Sequence, residues 1–348
     1  MSVVTRTAEE RISNFFSKYG SASESDCKAF ASKITGSLTV HTATQGAFSY
    51  TVASERHVVQ FRGKVSPLDI GLLNLAKRIH GGTVAWTFDA GRLPEDAEVL
   101  VYCMEKLPGQ PYSQLSGPCL GLSALVSQRR MTLKGFARFF AQSWNKPQPV
   151  ERNRILQTKS SHQQKLLVLL NSLPKAYGRL LSFCLNNLDA AFHAEMPWAL
   201  THGDLCDTNI MIDSESGELT GIIDWAEGDV LPFGMALWGL ETLLGYMDVG
   251  QGRWVYYSQR EEMEKLFWHY FLEDAGPVSG AQGRGISVIR LIGIFFRHGF
   301  KFDGAKIVPK DGSWDLSFLQ GQLLGHEDRW MMSWHSRLAA AANTKVVT

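Results

Sequence analysis

The sequence lacks the cysteine patterns that would assign it to a disulfide-rich or zinc-binding class. Its 5 cysteines among 348 residues are odd in number and far apart, and none forms a Cys-x-x-Cys pair or a Cys/His cluster with zinc-like spacing. We therefore expect free thiols, in a protein that acts in the cytoplasm.

The sequence also lacks an excess of charge and any long hydrophobic run. Lys and Arg number 35 against 34 Asp and Glu, and this balance predicts no nucleic-acid partner. The most apolar stretches, LPFGMALWGLETLLG and ISVIRLIGIFF, are shorter or more interrupted than the ~20 apolar residues that cross a bilayer. The first residues contain no apolar run of signal-peptide length. No membrane partner is expected, and no protein partner can be identified.

One segment is short of positive charge. Residues 180–252 contain no Lys or Arg but 12 Asp or Glu residues. Such a segment repels itself unless cations lie nearby, and these could be metal ions, basic side chains from elsewhere in the chain or a cationic ligand. A solvated acidic surface is the alternative, but several of the carboxylates lie within apolar sequence such as GIIDWAEGD.

Hydrophobic periodicity divides the chain into a β-rich part and a helical part. The first part has helical patterns at 7–19, 26–33 and 68–81, and short β-prone runs at 37–43, 48–54, 57–62, 83–88 and 98–104. After the Pro/Gly-containing EKLPGQPY at 105–112, helical patterns lie at 131–144, 162–172, 175–193, 233–246, 260–273 and 285–298, with two predicted strands at 209–213 and 219–224.

These patterns predict an α+β protein of two lobes. Residues 1–104 form a small β-rich N-terminal lobe with N-terminal helices, and residues 105–112 form a hinge. Residues 113–348 form a larger, mostly helical C-terminal lobe.

The strongest chemical signal is HGDLCDTN at 202–209, followed by IID at 222–224. Phosphoryl transfer needs an Asp that accepts or orients the substrate hydroxyl proton, an Asn five residues later, and a second Asp after a hydrophobic strand. Asp204, Asn209 and Asp224 have that spacing, and hard oxygen ligands suit Mg²⁺. The alternative is a loop Asp, a turn Asn and a buried Asp at the end of a strand.

THGDLCDTNIMID and GIIDWAEGD resemble the catalytic and metal loops of the aminoglycoside phosphotransferase/choline kinase-like family. The flanking WAEGDVLPFGMALWGLE and FRGKVSPLDIGLLNLAKRIHG resemble uncharacterised fungal members more than the antibiotic-resistance enzymes. The resemblance extends over residues ~35–330 and implies a two-lobed, protein-kinase-like fold. It also implies ATP as the phosphoryl donor, Mg²⁺ as the metal and a small molecule as the acceptor.

Carried over by position, the resemblance assigns roles to five residues. Asp204 resembles the catalytic base, while Asn209 and Asp224 resemble the magnesium ligands. VLVYCMEKLPG resembles the strand that enters the hinge, and its backbone near Met104 and Lys106 is expected to bind the adenine.

The sequence departs from the family at the strand that normally carries a phosphate-binding Lys or Arg. HVVQFR has Gln60 at this position, and either Gln60 itself or Arg62, two residues on and on the same strand face, could take the role. For the acidic partner of that residue, Asp69 is the nearest candidate. Gly46 in TQGAF is either a plain turn or part of a loop that covers the phosphates.

Two further residues belong to a possible acceptor pocket. These are Trp225 and Glu227, which follow the predicted metal loop, and Trp225 could equally be part of the core. His202 is expected to have a scaffold role. The sequence therefore predicts an ATP- and Mg²⁺-dependent phosphotransferase that acts on a hydroxyl of a neutral or cationic small molecule. Two alternatives stay open: a nucleotide-binding regulator with little phosphotransfer activity, and an enzyme of the same fold that catalyses nucleotidyl transfer or amide formation.

Overall fold

The computed structural model describes residues 7–19, 22–42, 45–46, 48–94, 96–115, 117, 123–303, 306–310 and 316–332. The chain divides into two compact units, Met1–Pro108 and Gly109–Thr348. The boundary between them lies within the segment 105–112, in which the sequence places a hinge. Cys119 lies outside the described residues, and the other four cysteines are free thiols.

The first unit is built on an antiparallel sheet of five strands, with the order β1-β2-β3-β5-β4. Its strands are β1 (Val40–His41), β2 (Ser49–Ala53), β3 (His57–Gly63), β4 (Thr87–Leu93) and β5 (Asp96–Glu105), and its helices are α1 (Ala8–Lys18), α2 (Glu24–Thr35) and α3 (Ile70–His80).

The two N-terminal helices cover one face of this sheet. Both begin at a capping box, in which Thr7 and Ser23 satisfy backbone N–H groups of the first turn. Phe15 of α1 and Cys27 of α2 lie in one buried core cluster with the strand residues Tyr50, Val59 and Phe61. Burial of each large side chain contributes roughly 1.5–3 kcal/mol, so the helices and the sheet stabilise each other.

The second unit is mainly helical. Its helices are α4 (Ser123–Asn145), α5 (Arg152–Ser172), α6 (Gly178–Asn186), α7 (Leu188–Ala191), α8 (Glu241–Leu244), α9 (Arg260–Ala275), α10 (Gly280–Gly299), α11 (Ser317–Leu323) and α12 (Glu327–Met331). Its strands are β6 (Gln110–Pro111), β7 (Trp198–Thr201), β8 (Ile210–Ile212), β9 (Leu219–Ile222), β10 (Asp229–Pro232), β11 (Gly245–Asp248), β12 (Arg253–Tyr256), β13 (Phe300–Asp303) and β14 (Lys306–Pro309).

Aromatic side chains form the centre of this unit. Phe136 and Phe140 of α4 contact Phe267 of α9 with ring centroids 6.4 and 6.0 Å apart, and Phe233 and Phe271 stack at 5.6 Å. Helices α4 and α9 therefore pack along their apolar faces. The strands β7, β8, β9 and β10 lie beside this helical core and carry the sequence motif in the loops that connect them.

Three predictions of secondary structure were wrong. Residues 81–83 form a 3₁₀ turn, and the strand expected at 83–88 begins only at Thr87. The helix expected at 175–193 is divided into a 3₁₀ turn and two α-helices, and the helix expected at 233–246 is a 3₁₀ helix, one α-helical turn and a strand. Glycines explain the last case: Gly234 has φ of 105°, and Gly239 lies so close to Leu205 that a β-carbon would meet its carbonyl oxygen at 2.8 Å.

The other predicted helices and the two predicted strands after the hinge are present, and their ends agree within a few residues, except that α4, α5 and α10 begin at Ser123, Arg152 and Gly280 rather than at 131, 162 and 285. In the described part of the chain, no helix is both long enough and apolar enough to cross a membrane.

Candidate active site

His202 joins the two loops that carry the motif. It follows β7, is 1% exposed, and its Nε2 lies 2.9 Å from the carbonyl oxygen of Ile223. Its Nδ1 accepts a hydrogen bond from the backbone N–H of Asp204 at 3.2 Å, which assigns the ring proton to Nε2. Burial lowers the pKa of His202 to about 4, so the ring is neutral. This geometry fits the scaffold role that the sequence predicts.

Gly203 lets the same two loops approach closely. A β-carbon at this position would overlap the carbonyl group of Glu227, which is backbone and cannot move aside cheaply. The HGD motif therefore needs glycine at its centre for a steric reason.

Asn209 closes the loop that begins at Asp204. Its Nδ2 donates to the backbone oxygen of Asp204 at 2.8 Å, and its own backbone oxygen accepts from the N–H of Ile223 at 3.0 Å. The side chain is 8% exposed. Because Nδ2 is used in the loop, the amide oxygen is the atom that could ligate a cation.

Asp224 is held in an unusual backbone conformation. Strands β8 and β9 pair with Ile210 opposite Ile222, so Asp224 lies just beyond the end of the hairpin that starts at Asn209. Its φ of 62° and ψ of 65° make it the one non-glycine with positive φ among the described residues. Such a conformation costs on the order of 1–3 kcal/mol and persists only where the surrounding structure imposes it.

The donor set fits magnesium as a two-ligand site. The Asn209 amide and the Asp224 carboxylate supply hard oxygen ligands from neighbouring loops, and Mg²⁺ usually completes its shell with waters and phosphate oxygens. Within the described ranges, no group of three or more His, Cys, Asp or Glu residues could hold a metal ion. The Asn209 and Asp224 oxygens would leave the other positions of such a shell to waters and to phosphate oxygens of a nucleotide.

The contact that sequence reasoning missed is made by Arg297. From helix α10, its Nη2 donates to Oδ1 of Asp204, and its Nη1 lies 4.0 Å from Oε2 of Glu227. The guanidinium also lies over the ring of Trp238, 4.9 Å from the centroid. The lack of Lys and Arg in residues 180–252 indicated that a cation must come from elsewhere, but did not identify it.

Basic side chains from other segments pair with 5 of the 12 acidic residues of that segment. Lys159 Nζ lies 2.5 Å from Oδ1 of Asp189. Other ion pairs with the segment are made by Arg154, Arg290 and Arg329. The acidic residues that such pairs reach are Asp189, Asp204, Glu227, Asp229 and Glu241. The structure therefore contains one of the three cation sources that the sequence left open.

Trp225 and Glu227 have different surroundings. Trp225 is 5% exposed, its Nε1 donates to the carbonyl oxygen of Ile222 at 3.0 Å, and its ring packs 4.6 Å from that of His202. These contacts favour the core alternative for Trp225. Glu227 remains half exposed, and burial together with the neighbouring carboxylates of Asp204 and Asp224 raises its pKa.

On β3, Gln60 and Arg62 contact each other. Arg62 is 5% exposed, its Nε donates to the backbone oxygen of Ser66 at 2.8 Å, its Nη2 to Oγ of Ser66 at 3.0 Å and its Nη1 to Oε1 of Gln60 at 3.3 Å. Arg62 thus stabilises the turn after its strand. Asp69 accepts the N–H of Leu72 at 2.9 Å and caps α3, so its observed role is that of a helix cap.

The remaining residues expected at the nucleotide lie in the first unit. Met104 is opposite Val58 in β3, and the backbone N–H of Lys106 donates to the oxygen of Arg56 at 2.8 Å. The Lys106 side chain reaches the backbone oxygen of Ser54 at 3.4 Å. Gly46 is exposed, and residues 43, 44 and 47 near it lie outside the described part of the chain.

Comparison with known proteins places these residues in context. Residues 72–241 match the model of a phosphotransferase enzyme family, APH. No curated protein sequence matches the chain.

Two solved structures are similar over nearly the whole chain. One is a protein from Ralstonia eutropha assigned to the aminoglycoside phosphotransferases, with 12% identity, 98% of this chain and 100% of that chain covered, and a TM-score of 0.52. The other is a choline/ethanolamine kinase family protein from Mesorhizobium loti, with 15% identity, 91% of this chain and 98% of that chain covered, and a TM-score of 0.50. At these identities the likeness establishes the fold, and the expected protein-kinase-like fold class is confirmed. Neither protein is fungal, and the expected likeness to fungal members has no support here.

Proposed function

We propose that this protein is a small-molecule kinase that transfers the γ-phosphoryl group of ATP to a hydroxyl group. The observation that carries this proposal is the convergence of Asp204, Asn209 and Asp224 on two loops that His202 and Gly203 hold together. The match of residues 72–241 to a phosphotransferase family model supports the same reaction class.

Asp204 is the residue that acts on the acceptor. Its carboxylate accepts the hydroxyl proton while the hydroxyl oxygen forms a bond to the γ-phosphorus and the bond to the β–γ bridging oxygen breaks, which releases ADP. Asn209 and Asp224 would hold Mg²⁺, which supplies positive charge next to the phosphate oxygens when it is bound. The strained backbone of Asp224 supports a functional role, since strain of this kind is common at ligand sites.

For the nucleotide, we propose that residues 1–104 form the nucleotide-binding lobe, with 105–112 as the hinge and 113–348 as the catalytic and acceptor-binding lobe. The backbone near Met104 and Lys106 would bind the adenine, and the loop at Gly46 would lie near the phosphates. Gln60 is the better candidate for a phosphate contact, because the Arg62 guanidinium already makes three hydrogen bonds to its neighbours.

The acceptor is proposed to be a neutral or cationic alcohol. Asp204, Asp224 and Glu227 bring three carboxylates close together, while Arg297 offsets only part of their charge. Amine-bearing alcohols such as choline, ethanolamine and aminoglycosides therefore make a rational first panel.

A regulator that binds nucleotide with little phosphotransfer is the second candidate. It is favoured by one observation, namely that Arg62, the arginine two residues beyond Gln60 on the same strand face, is engaged with Ser66. Weak binding of the ATP phosphates would follow if neither side chain reaches them.

The proposal is tested by incubating the protein with MgATP and the alcohol panel, followed by a metabolite extract, with mass spectrometry to detect a phosphorylated product. Asp204→Asn should cut turnover by ~10²–10⁴-fold and leave ATP affinity close to that of the wild type, because it removes a positioned proton acceptor and no nucleotide contact. Asp224→Ala should abolish Mg²⁺-dependent nucleotide binding in calorimetry.

Glu215→Gln is the matched control, because Glu215 is an exposed carboxylate in the turn of the same hairpin. It should behave as the wild type in both assays. Unchanged MgATP affinity in Asp224→Ala would contradict the metal assignment, and equal losses of affinity and turnover in Asp204→Asn would point to a structural role. Nucleotide binding without any product would favour the regulator.

A further inference from the structure

We infer that Arg297 is a positioning residue for phosphoryl transfer, which holds the Asp204 carboxylate in the orientation that accepts the acceptor's proton. The inference rests on the proposed function. Its starting observation is that Nη2 of Arg297 donates to Oδ1 of Asp204, across 93 residues of sequence. An ionised carboxylate has about four acceptor sites, so this contact orients the group and leaves acceptor sites for the hydroxyl proton.

The loop around Asp204 has no cation of its own. HGDLCDTN contains no Lys or Arg, and neither does the whole of residues 180–252. The Asp204 side chain is 24% exposed, so without a partner its carboxylate could rotate among several orientations. A charge-assisted hydrogen bond from a guanidinium is roughly twice as strong as a neutral one and has a defined direction, which makes it suited to fixing one rotamer.

Helix α10 is anchored by Arg290, two helical turns before Arg297. Arg290 lies seven residues earlier, close to two helical turns, and so on the same face of the helix. Its side chain is completely buried and pairs with Glu241 of α8 and, at 2.6 Å, with Glu264 of α9. Because removal of one partner of such a pair leaves a buried charge uncompensated, these contacts strongly resist rotation of the helix.

Gly293 sets how closely α10 approaches the 3₁₀ helix Met235–Leu240. It lies between the two arginines, and a β-carbon there would overlap the backbone oxygen of Met235. Trp238 from the same 3₁₀ helix stacks on the Arg297 guanidinium, 4.9 Å from the ring centroid. The place of the guanidinium is therefore determined by backbone packing, by a buried ion-pair network and by an aromatic ring.

The alternative is an ion pair that only stabilises the fold. The Arg297 and Asp204 side chains are 29% and 24% exposed, whereas those of Arg290 and Glu241 are both fully buried. Partly exposed ion pairs usually contribute little to stability. A gain in stability therefore does not account well for an arginine whose position is set by backbone packing, buried ion pairs and an aromatic ring.

The test measures steady-state and single-turnover release of inorganic phosphate from MgATP with water as the acceptor, and transfer to any alcohol that proves to be a substrate. Arg297→Gln should lower kcat by ~10–100-fold, the scale of a small misplacement of a reacting group, while KM for ATP changes less than about twofold. Arg297→Lys should recover part of the loss, because it restores the charge but not the fork geometry.

The decisive comparison is made in the Asp204→Asn background. If Arg297 acts through Asp204, Arg297→Gln has no further effect on kcat once the carboxylate is gone. Arg154→Gln is the matched control, since Arg154 pairs with Asp229 through side chains that are 48% and 52% exposed, and it should leave kcat unchanged.

Each outcome decides between the explanations. An unchanged kcat in Arg297→Gln, or a loss that persists in the Asp204→Asn background, overturns the inference and assigns Arg297 a structural role. A wild-type protein that transfers phosphate neither to water nor to any alcohol overturns the proposed function, and the inference falls with it. If Arg297→Gln fails to fold, Arg297→Lys is compared with the wild type and in the Asp204→Asn background instead. A kcat of Arg297→Lys equal to that of the wild type then overturns the inference.

Discussion

The buried ion-pair network that anchors α10 leads to a quantitative prediction about stability. Arg290 pairs with Glu241 and Glu264, and Arg329 pairs with the same two carboxylates at 3.5 and 2.7 Å. The network is balanced, with two positive and two negative side chains. Arg290→Met keeps most of the side-chain length but leaves one buried negative charge without compensation.

The expected cost of Arg290→Met is ~3–5 kcal/mol in the free energy of unfolding, the range for removing one partner of a buried ion pair. Adding Glu241→Gln restores the charge balance with an amide of nearly the same shape, and leaves Arg329 paired with Glu264. We therefore expect the double variant to cost only about 1–2 kcal/mol, less than the single variant, because what remains is an imperfect hydrogen bond.

Urea unfolding followed by far-UV circular dichroism measures both values, and Arg130→Met is the control. Arg130 also joins two helices through one carboxylate, that of Glu262, but the two side chains are 44% and 52% exposed. Its loss should cost less than ~1 kcal/mol. A cost of Arg290→Met no larger than that of this control would contradict the role of the buried ion pair. A double variant less stable than Arg290→Met would contradict it as well.

The same network predicts a dependence on pH. Burial raises the pKa of Glu241, but Arg329 and Arg290 outweigh burial and hold it below its ordinary value of 4.5. A carboxyl group whose pKa is lowered on folding stabilises the protein above its unfolded pKa, and this contribution is lost as pH falls through the folded value. The loss of stability in that acidic range should be smaller in Arg290→Met, where one of the two cations is missing.

Two further changes test the pKa of a buried histidine and the role of β3. Burial, with a smaller effect of Lys165, lowers the pKa of His162 from 6.5 to about 4. Between these two pH values the unfolded chain binds a proton that the folded protein does not bind. The free energy of unfolding should therefore decrease by on the order of 3 kcal/mol as pH falls through this range. The urea unfolding midpoint of the wild type should therefore fall between pH 6.5 and 4, and it should fall less in His162→Phe. His193→Gln, at an exposed histidine, is the control and should fall as the wild type does. An equal fall of the midpoint in the two variants would contradict the lowered pKa of His162. Arg62→Ala should lower the unfolding midpoint while the Kd for MgATP changes less than about threefold, because Arg62 donates to Ser66. A tenfold weaker Kd in calorimetry would instead make Arg62 a phosphate ligand.

Local chemistry explains why the motif could be located from the sequence. The five-residue spacing from Asp204 to Asn209 closes a short loop through one side-chain hydrogen bond, and the hairpin that follows brings Asp224 back beside it. These contacts need only neighbouring residues and a short turn. The helical apolar patterns at 7–19 and 26–33 are likewise local, and α1 and α2 form close to these positions.

Glycine contacts explain where periodicity failed. The apolar pattern of residues 233–246 is that of a helix, yet the chain there is a 3₁₀ helix, one α-helical turn and a strand. Gly239 lies against Leu205 and Gly245 against Val255, so the path of the backbone follows close approaches to distant segments. A hydrophobic period reports which side chains are buried, but not how closely two backbones approach.

The sequence by itself determined the position of the HGDLCDTN motif, the order of most helices and strands, and the need for cations around residues 180–252. Only the tertiary structure decided that one of those cations is Arg297 and that it meets Asp204, that Arg62 is engaged by Ser66, and that Asp69 caps a helix. The physical reason is the range of the contacts. Arg297 and Asp204 are brought together by the packing of α10 through Gly293 and Arg290, and the pairing of charges 93 residues apart depends on that packing as a whole.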